Sequence, residues 1–320
     1  MENNHLSGII LGPNCPPIHS LLFADDLLIC GKADVQEATT IKSILNIFCK
    51  QSGQTPSWAK SGIIFSKHVE NATIESLKQN FPVPLIDSTF THLGYLLNLP
   101  SKNRLSAYEF VIDKFKNKIT TYKADYLSHA ARLTLIQSVF ATIPVYYMST
   151  IIFPKAFISK LNTIVRTFWW KGITKEDSKK ALCLKAWKDI CIPKKEGGLG
   201  IRNFQAINYG VILTAAWRIA CNPNDFLHKI LRAKYFPNST IWRPNPNSPK
   251  SAFWFSILKV LLVLKSHSHY QISQGNISIW NTPWCKGWMN IYENLITQEP
   301  NYSYPATVSD LRHKDRKKME

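Results

Sequence analysis

Apolar and polar positions follow two rhythms along this chain of 320 residues. Near the start, "HSLLFADDLLICGKA" (19–33) is apolar on both sides of Asp25 and Asp26. Two short apolar runs parted by a polar break predict a β-hairpin turning at Ala24-Asp25-Asp26. The next stretch, "ADVQEATTIKSILNIFCKQSG", changes to spacings of three and four, with Ala38, Ile41, Leu45 and Phe48 on one helical face. Asp34 is placed to cap that helix, Glu37 to complete a capping box, and Gly53 to end it. "GIIFSK" (62–67) and "THLGYLLNL" (91–99) each read as a further strand.

From residue 101 the helical rhythm takes over. Leu105, Tyr108, Ile112, Phe115, Ile119 and Tyr122 form one stripe, with Lys114, Lys116, Lys118 and Lys123 off it. A second stripe, Leu133, Ile136, Phe140 and Ile143, is capped by Ser128 and stopped by Pro144. Pro154 opens a third helix carrying Phe157, Leu161, Ile164 and Phe168, which ends at Trp169-Trp170-Lys171. The stripes predict a helix-bundle core. The lysines and arginines off them are either a solvated face or contacts for phosphates. Residues 172–236 read as more helix, interrupted by "PKKEGGLGI" (193–201). Gly197, Gly198 and Gly200 superficially resemble a phosphate loop, but no Lys-Ser/Thr follows them, so a turn is expected. Turn formers crowd 237–251, "NISIWNTPW" (276–284) is strand-like, and the charged tail 312–320 is expected to be disordered.

The fold class expected from this order is α+β: hairpin, helix and strands first, then a mainly helical remainder. The expected divisions are 1–100, a helical bundle at 101–171, a helical connection at 172–236, a linker at 237–251, a small region at 252–311 and the tail at 312–320.

Composition narrows the function. A hydrophobic fraction of 45% supports packed cores. The net charge of +18 points to polyanions, either nucleic acid or an anionic membrane surface. Ten Trp and twelve Tyr tilt this toward nucleic acid, since aromatic faces stack on bases, although most of them belong to the core. No membrane partner is expected. The first ten residues lack a basic segment followed by an apolar one, and "ILKVLLVLK" (257–265) is too short to span a bilayer. The seven cysteines are scattered without a CxxC pair, and His267, His269 and Cys285 read as surface residues before they read as a metal site. An intracellular protein, nuclear or cytoplasmic and not secreted, is the expectation.

Paired carboxylates at a hairpin turn suit a hard divalent cation such as Mg²⁺. Adjacent residues point in different directions, so Asp25 would be the direct ligand and Asp26 a supporting one. The same dipeptide also makes a good polar turn with no chemistry at all.

The surroundings carry a resemblance. "LLFADDLLI" resembles the Phe/Tyr-x-Asp-Asp motif of reverse transcriptases. "SGQTPSWAKSGIIFSK", "HLGYLL", "LSHAARLTLIQSVFATIPVYYMS", "FWWKG", "IPKKEGGLGIRNF" and "LRAKYFPNS" follow in the order shown by plant LINE-type, non-LTR retrotransposon reverse transcriptases. The resemblance implies that residues 1–100 are a partial palm and 101–171 a thumb. Asp25 and Asp26 match the metal-binding motif, for Mg²⁺ or Mn²⁺. Lys60 matches a lysine that supplies a proton or positive charge near the leaving pyrophosphate, or else it is a surface lysine at a strand start. Gly94 matches the segment that supports the primer terminus. Lys114, Lys118, Lys123, Arg132, Arg166 and Lys171 fall in the thumb-like part that grips an RNA template and a DNA primer through phosphates.

Departures limit what the resemblance implies. The opposing carboxylates of such a polymerase lie upstream of the Asp-Asp hairpin, and "MENNHLSGIILGPNCPPIHS" offers only Glu2. Ser57 stands where the family has asparagine, with Pro56 before it. The expectation is therefore RNA-directed DNA polymerase ancestry, with catalysis only if an upstream segment completes the site. The alternatives are a non-catalytic, basic nucleic-acid-binding fragment and a decayed remnant with no selected role.

Overall fold

The structure is a computed structural model that describes residues 6–86, 90–97, 108–121, 127–172, 183–248, 250–272, 274–286, 288 and 306–311. The chain forms two compact units, residues 1–102 and 103–320. The described elements are mostly helices, with two small two-stranded antiparallel sheets. That composition is compatible with the α+β class.

In the first unit, β1 (Ser20–Phe23) pairs with β2 (Asp26–Ile29) in the expected hairpin. The turn is tighter than expected. Asp26 already pairs with Phe23, so only Ala24 and Asp25 make the corner, and Ala24 takes a left-handed φ of 52°. Helix α1 (Val35–Ser52) starts and stops as read: Asp34 accepts from the Gln36 amide, and Gly53 is the left-handed C-cap. Glu37 departs from its expected part. Its carboxylate does not close a capping box but accepts from the backbone N–H of Ser7 at 2.7 Å and of Lys32 at 2.6 Å. It therefore clasps both ends of the hairpin segment to the first turn of α1. Of the expected face, Ala38 is buried and Ile41 and Leu45 half-buried, whereas Phe48 is exposed.

Helix α2 (Asn71–Lys78) follows. The strand expected at 62–67 reduces to one parallel bridge between Ile63 and Leu85. Its partner segment contains Pro82 and Pro84, which have no N–H to extend a ladder. The single strand expected at 91–99 is instead a hairpin, β3 (Phe90–His92) with β4 (Tyr95–Leu97). Leu93 and Gly94 turn it with φ of 49° and 77°, a conformation that favours glycine.

The second unit begins with α3 (Glu109–Thr121), whose Ile112, Phe115 and Ile119 are buried as the stripe requires. Leu105, Tyr122 and Lys123 lie outside the described residues. Ser128 caps α4 (His129–Leu135), which passes into a π-helical turn at Ile136–Phe140. Pro144 does not stop a helix. It sits in the first turn of α5 (Ile143–Met148), where a missing N–H costs nothing. Helix α6 (Lys155–Lys171) opens after Pro154 and buries Phe157, Leu161, Val165 and Phe168.

Beyond it come α7 (Trp187–Ile190), α8 (Phe204–Cys221), α9 (Phe226–Tyr235) and α10 (Ala252–His267). Helix α8 packs on α5, α6, α9 and α10, so one central helix joins the bundle to the later core. That core includes Ile212, Tyr235, Trp242, Trp254 and Trp288. Tyr235 stacks on Trp254 at a centroid distance of 4.5 Å. The segment 276–284 is not a strand, since only Ser278 bridges, to Thr307. The tail 312–320 lies outside the described residues.

Candidate functional site

The β1–β2 hairpin carries Asp25 at its corner and Asp26 on the first residue of β2, both exposed. Among the described residues, no group of three or more His, Cys, Asp or Glu side chains could hold a metal ion. Two hard oxygen donors suit Mg²⁺, but a pair on an open hairpin is not a complete ligand set. The same holds for His267, His269 and Cys285, which are not joined into a cluster.

Lys60 ends a short 3₁₀ turn, Trp58–Lys60, and is exposed. The Ser57 side chain makes no capping bond to that turn. No ion pair joins Lys60 to Asp25 or Asp26 among the described residues. Gly94 supplies a corner of the β3–β4 hairpin.

The cations of the helical unit differ in how they are used. Lys114 donates to the Tyr147 hydroxyl at 2.8 Å and lies over the rings of Phe110 and Tyr147. Arg132 is buried at 8% exposure and donates from one terminal nitrogen to the Trp169 carbonyl. It ties α4 to the end of α6 and offers a phosphate little surface. Lys118 and Arg166 are exposed and Lys171 half-buried, while Lys123 lies outside the described residues. The glycine loop before α8 does not cradle an anion. Its amides at Gly197, Gly198, Leu199 and Gly200 all donate to carbonyls of residues 190–194.

Division of the chain sorts its charge. Residues 1–102 hold seven Lys and Arg against eight Asp and Glu, leaving 32 against 13 in residues 103–320. The first unit is thus close to neutral, and the helical unit carries the whole basic excess. Sequence reasoning picked Arg166 but missed Lys155 and Trp187, which line the same cleft of about 320 Å³. The usable signal was the polar stripe Lys155, Ser159, Asn162 and Arg166 on α6, at the same three-and-four spacing as the apolar one.

No protein-family model matches the chain. Two proteins of Arabidopsis thaliana are similar to it. One, named "Putative ribonuclease H protein", is 32% identical over 182 residues, which cover 55% of this chain and 29% of that protein. The other, named "Uncharacterized mitochondrial protein", is 28% identical over 144 residues, 44% of this chain and 92% of that protein. The chain therefore spans less than a third of the first relative's length and nearly all of the second's.

Proposed function

We propose that this chain is the palm-and-thumb portion of a plant non-LTR retrotransposon reverse transcriptase, and that its own activity is to hold nucleic acid without catalysis. The observation that carries this reading is the confinement of the basic excess to residues 103–320. A cationic helical unit releases counterions from a polyanion, which drives binding regardless of sequence. The ordered motifs and a relative named for ribonuclease H fit a nucleic-acid context, in the nucleus or cytoplasm, with an RNA template and a DNA primer as the ancestral ligands.

The Asp25-Asp26 hairpin supports the ancestry part of this reading. Asp25 would be the direct ligand of Mg²⁺ or Mn²⁺ and Asp26 its support, with Lys60 a charge for the leaving group and Gly94 a support for the primer end. A divalent metal would activate the primer hydroxyl only where further carboxylates, from more of the chain or another chain, complete the set. The residues described do not complete it.

The test is retention on immobilised heparin and on oligonucleotides across a salt series. Log affinity should fall linearly with log salt, losing roughly 10³- to 10⁵-fold between 50 and 200 mM if about six to ten phosphates are contacted. Asp25→Asn should leave that retention unchanged. Affinity independent of salt would exclude phosphate-led binding. Mg²⁺-dependent primer extension abolished by Asp25→Asn would overturn the non-catalytic part of the reading.

A further inference from the structure

We propose that the cleft between α6, α7 and α8, continued toward α10, is a track for a single-stranded polynucleotide. Trp187 and Phe255 would act as base platforms and Lys155, Arg166 and Lys259 as phosphate contacts. The inference rests on the nucleic-acid reading above and gives it a place and a strand preference.

Two other cations of this unit are already engaged, whereas among the described residues Lys155 and Arg166 are not. Lys160, on the same helix, is tied to Glu109 at 2.9 Å, and Lys114 is tied to Tyr147. Lys155 and Arg166 have no ion-pair partner among the described residues, and no carboxylate lines the cleft they share. They stand eleven residues apart on one helix, roughly 16 Å at the α-helical rise. That spacing suits successive points of a strand better than one anion.

Between them the wall offers the hydroxyls of Ser159 and Thr163, with the Gln205 amide opposite. Trp187 is half-buried, lines the cleft and stacks on no other ring among the described residues. An aromatic side chain that reaches a cleft beside unpaired cations is an arrangement on which unpaired bases can stack.

The cleft does not end at Lys155. Lys155, Ile158 and Gln205 also line a second cleft of about 300 Å³, whose far wall holds Phe255 and Lys259. Phe255 is exposed, with the Lys259 ammonium 4.6 Å from its ring centroid. Aromatic and cationic groups thus line both adjoining clefts over α6, α8 and α10. Duplex bases are already stacked and cannot use such platforms, whereas a single strand can.

The test is fluorescence anisotropy on the full chain with labelled oligo-dT, oligo-U and a duplex of equal length, at several salt concentrations. The single strands should bind more tightly than the duplex. Trp187→Ala should weaken single-strand binding about 5- to 100-fold while Trp187→Phe keeps most of it. Arg166→Gln, an exposed change, should flatten the single-strand salt slope by about 0.7.

A loss on either oligomer supports the inference. Single-strand affinity unchanged in Trp187→Ala and Arg166→Gln would overturn the track and leave the general reading standing. A wild-type chain without salt-dependent binding to any probe would overturn both. If Trp187→Ala fails to fold by circular dichroism, Arg166→Gln and Lys155→Gln carry the decision from the surface.

Discussion

Asn208 shows how one side chain can hold a junction. It is buried on α8 at 1% exposure, where its carbonyl accepts from the Phe153 amide at 2.7 Å. Its amide donates to the carbonyls of Met148 and Ile151. The link between α5 and α6 is thereby fastened to the central helix. Asn208→Ala would leave three backbone groups without this partner, two of the bonds buried and one part-buried, and is expected to cost about 2–4 kcal/mol, read as a lower urea midpoint. Asn208→Asp should fail as well, because a carboxylate can accept from Phe153 but donate to neither carbonyl.

Glu37 is the counterpart in the first unit. Burial pushes its carboxyl up, but the hydrogen bonds from Ser7 and Lys32 and the Lys32 charge outweigh this and hold it below the ordinary 4.5. A lowered folded value stabilises above the unfolded one and is lost as pH falls through the folded one. Amide exchange at Ser7 and Lys32 should therefore be slow at neutral pH and quicken relative to neighbouring amides as pH drops below 4.5. In Glu37→Gln that pH dependence should vanish. Gly31 is the glycine this clasp requires, since a Cβ there would meet the Glu37 carboxylate at 2.5 Å.

At the scale of elements, two glycines around α8 make opposite predictions. In the loop before it, a Cβ on Gly198 would collide with the Ile192 carbonyl oxygen, so Gly198→Ala must displace backbone. A loss of about 1–3 kcal/mol is expected, the usual range for overpacking. Gly210 lies within α8 with nothing within 4 Å of such a Cβ. Gly210→Ala should raise stability by about 0.5–1 kcal/mol, since alanine loses less backbone freedom in a helix. Thermal unfolding of the two variants checks both signs.

The helices also show where local reading holds and where it fails. Caps at Asp34 and Ser128 were legible because they depend on residues two or three positions away. The π-helical turn at Ile136–Phe140 was not, because its geometry answers to the packing of Phe140 against Phe115 and Phe168.

For the molecule as a whole, the two units expose different chemistry. The first leaves Leu22 at 74%, Phe23 at 65% and Phe48 at 54% exposure. Apolar side chains that open to water favour association. The full chain is expected to bind a hydrophobic dye and to self-associate with rising concentration. Phe23→Ser with Phe48→Ser should reduce both, as measured by dye fluorescence and light scattering. The pair should leave heparin retention unchanged, because the basic excess lies in residues 103–320. Dye binding unaffected by these changes would place the adhesive surface elsewhere.

By itself the sequence determined the Asp25-Asp26 hairpin, the boundaries of α1, the buried stripes of α3 and α6, and the basic character of the chain. Each follows from hydrophobic period, capping chemistry or charge count, which act within a few residues or by simple addition. Only the tertiary structure decided which cations are free. Lys114, Arg132 and Arg166 look alike in the sequence, yet one is tied to Tyr147, one is buried against Trp169, and one faces an open cleft. It also decided that Glu37 serves the hairpin and not its own helix, and that Trp187 lines one cleft with Lys155 and Arg166. Those outcomes depend on groups that approach from distant segments, and the desolvation and hydrogen bonding that fix a charge's role arise only when those segments meet.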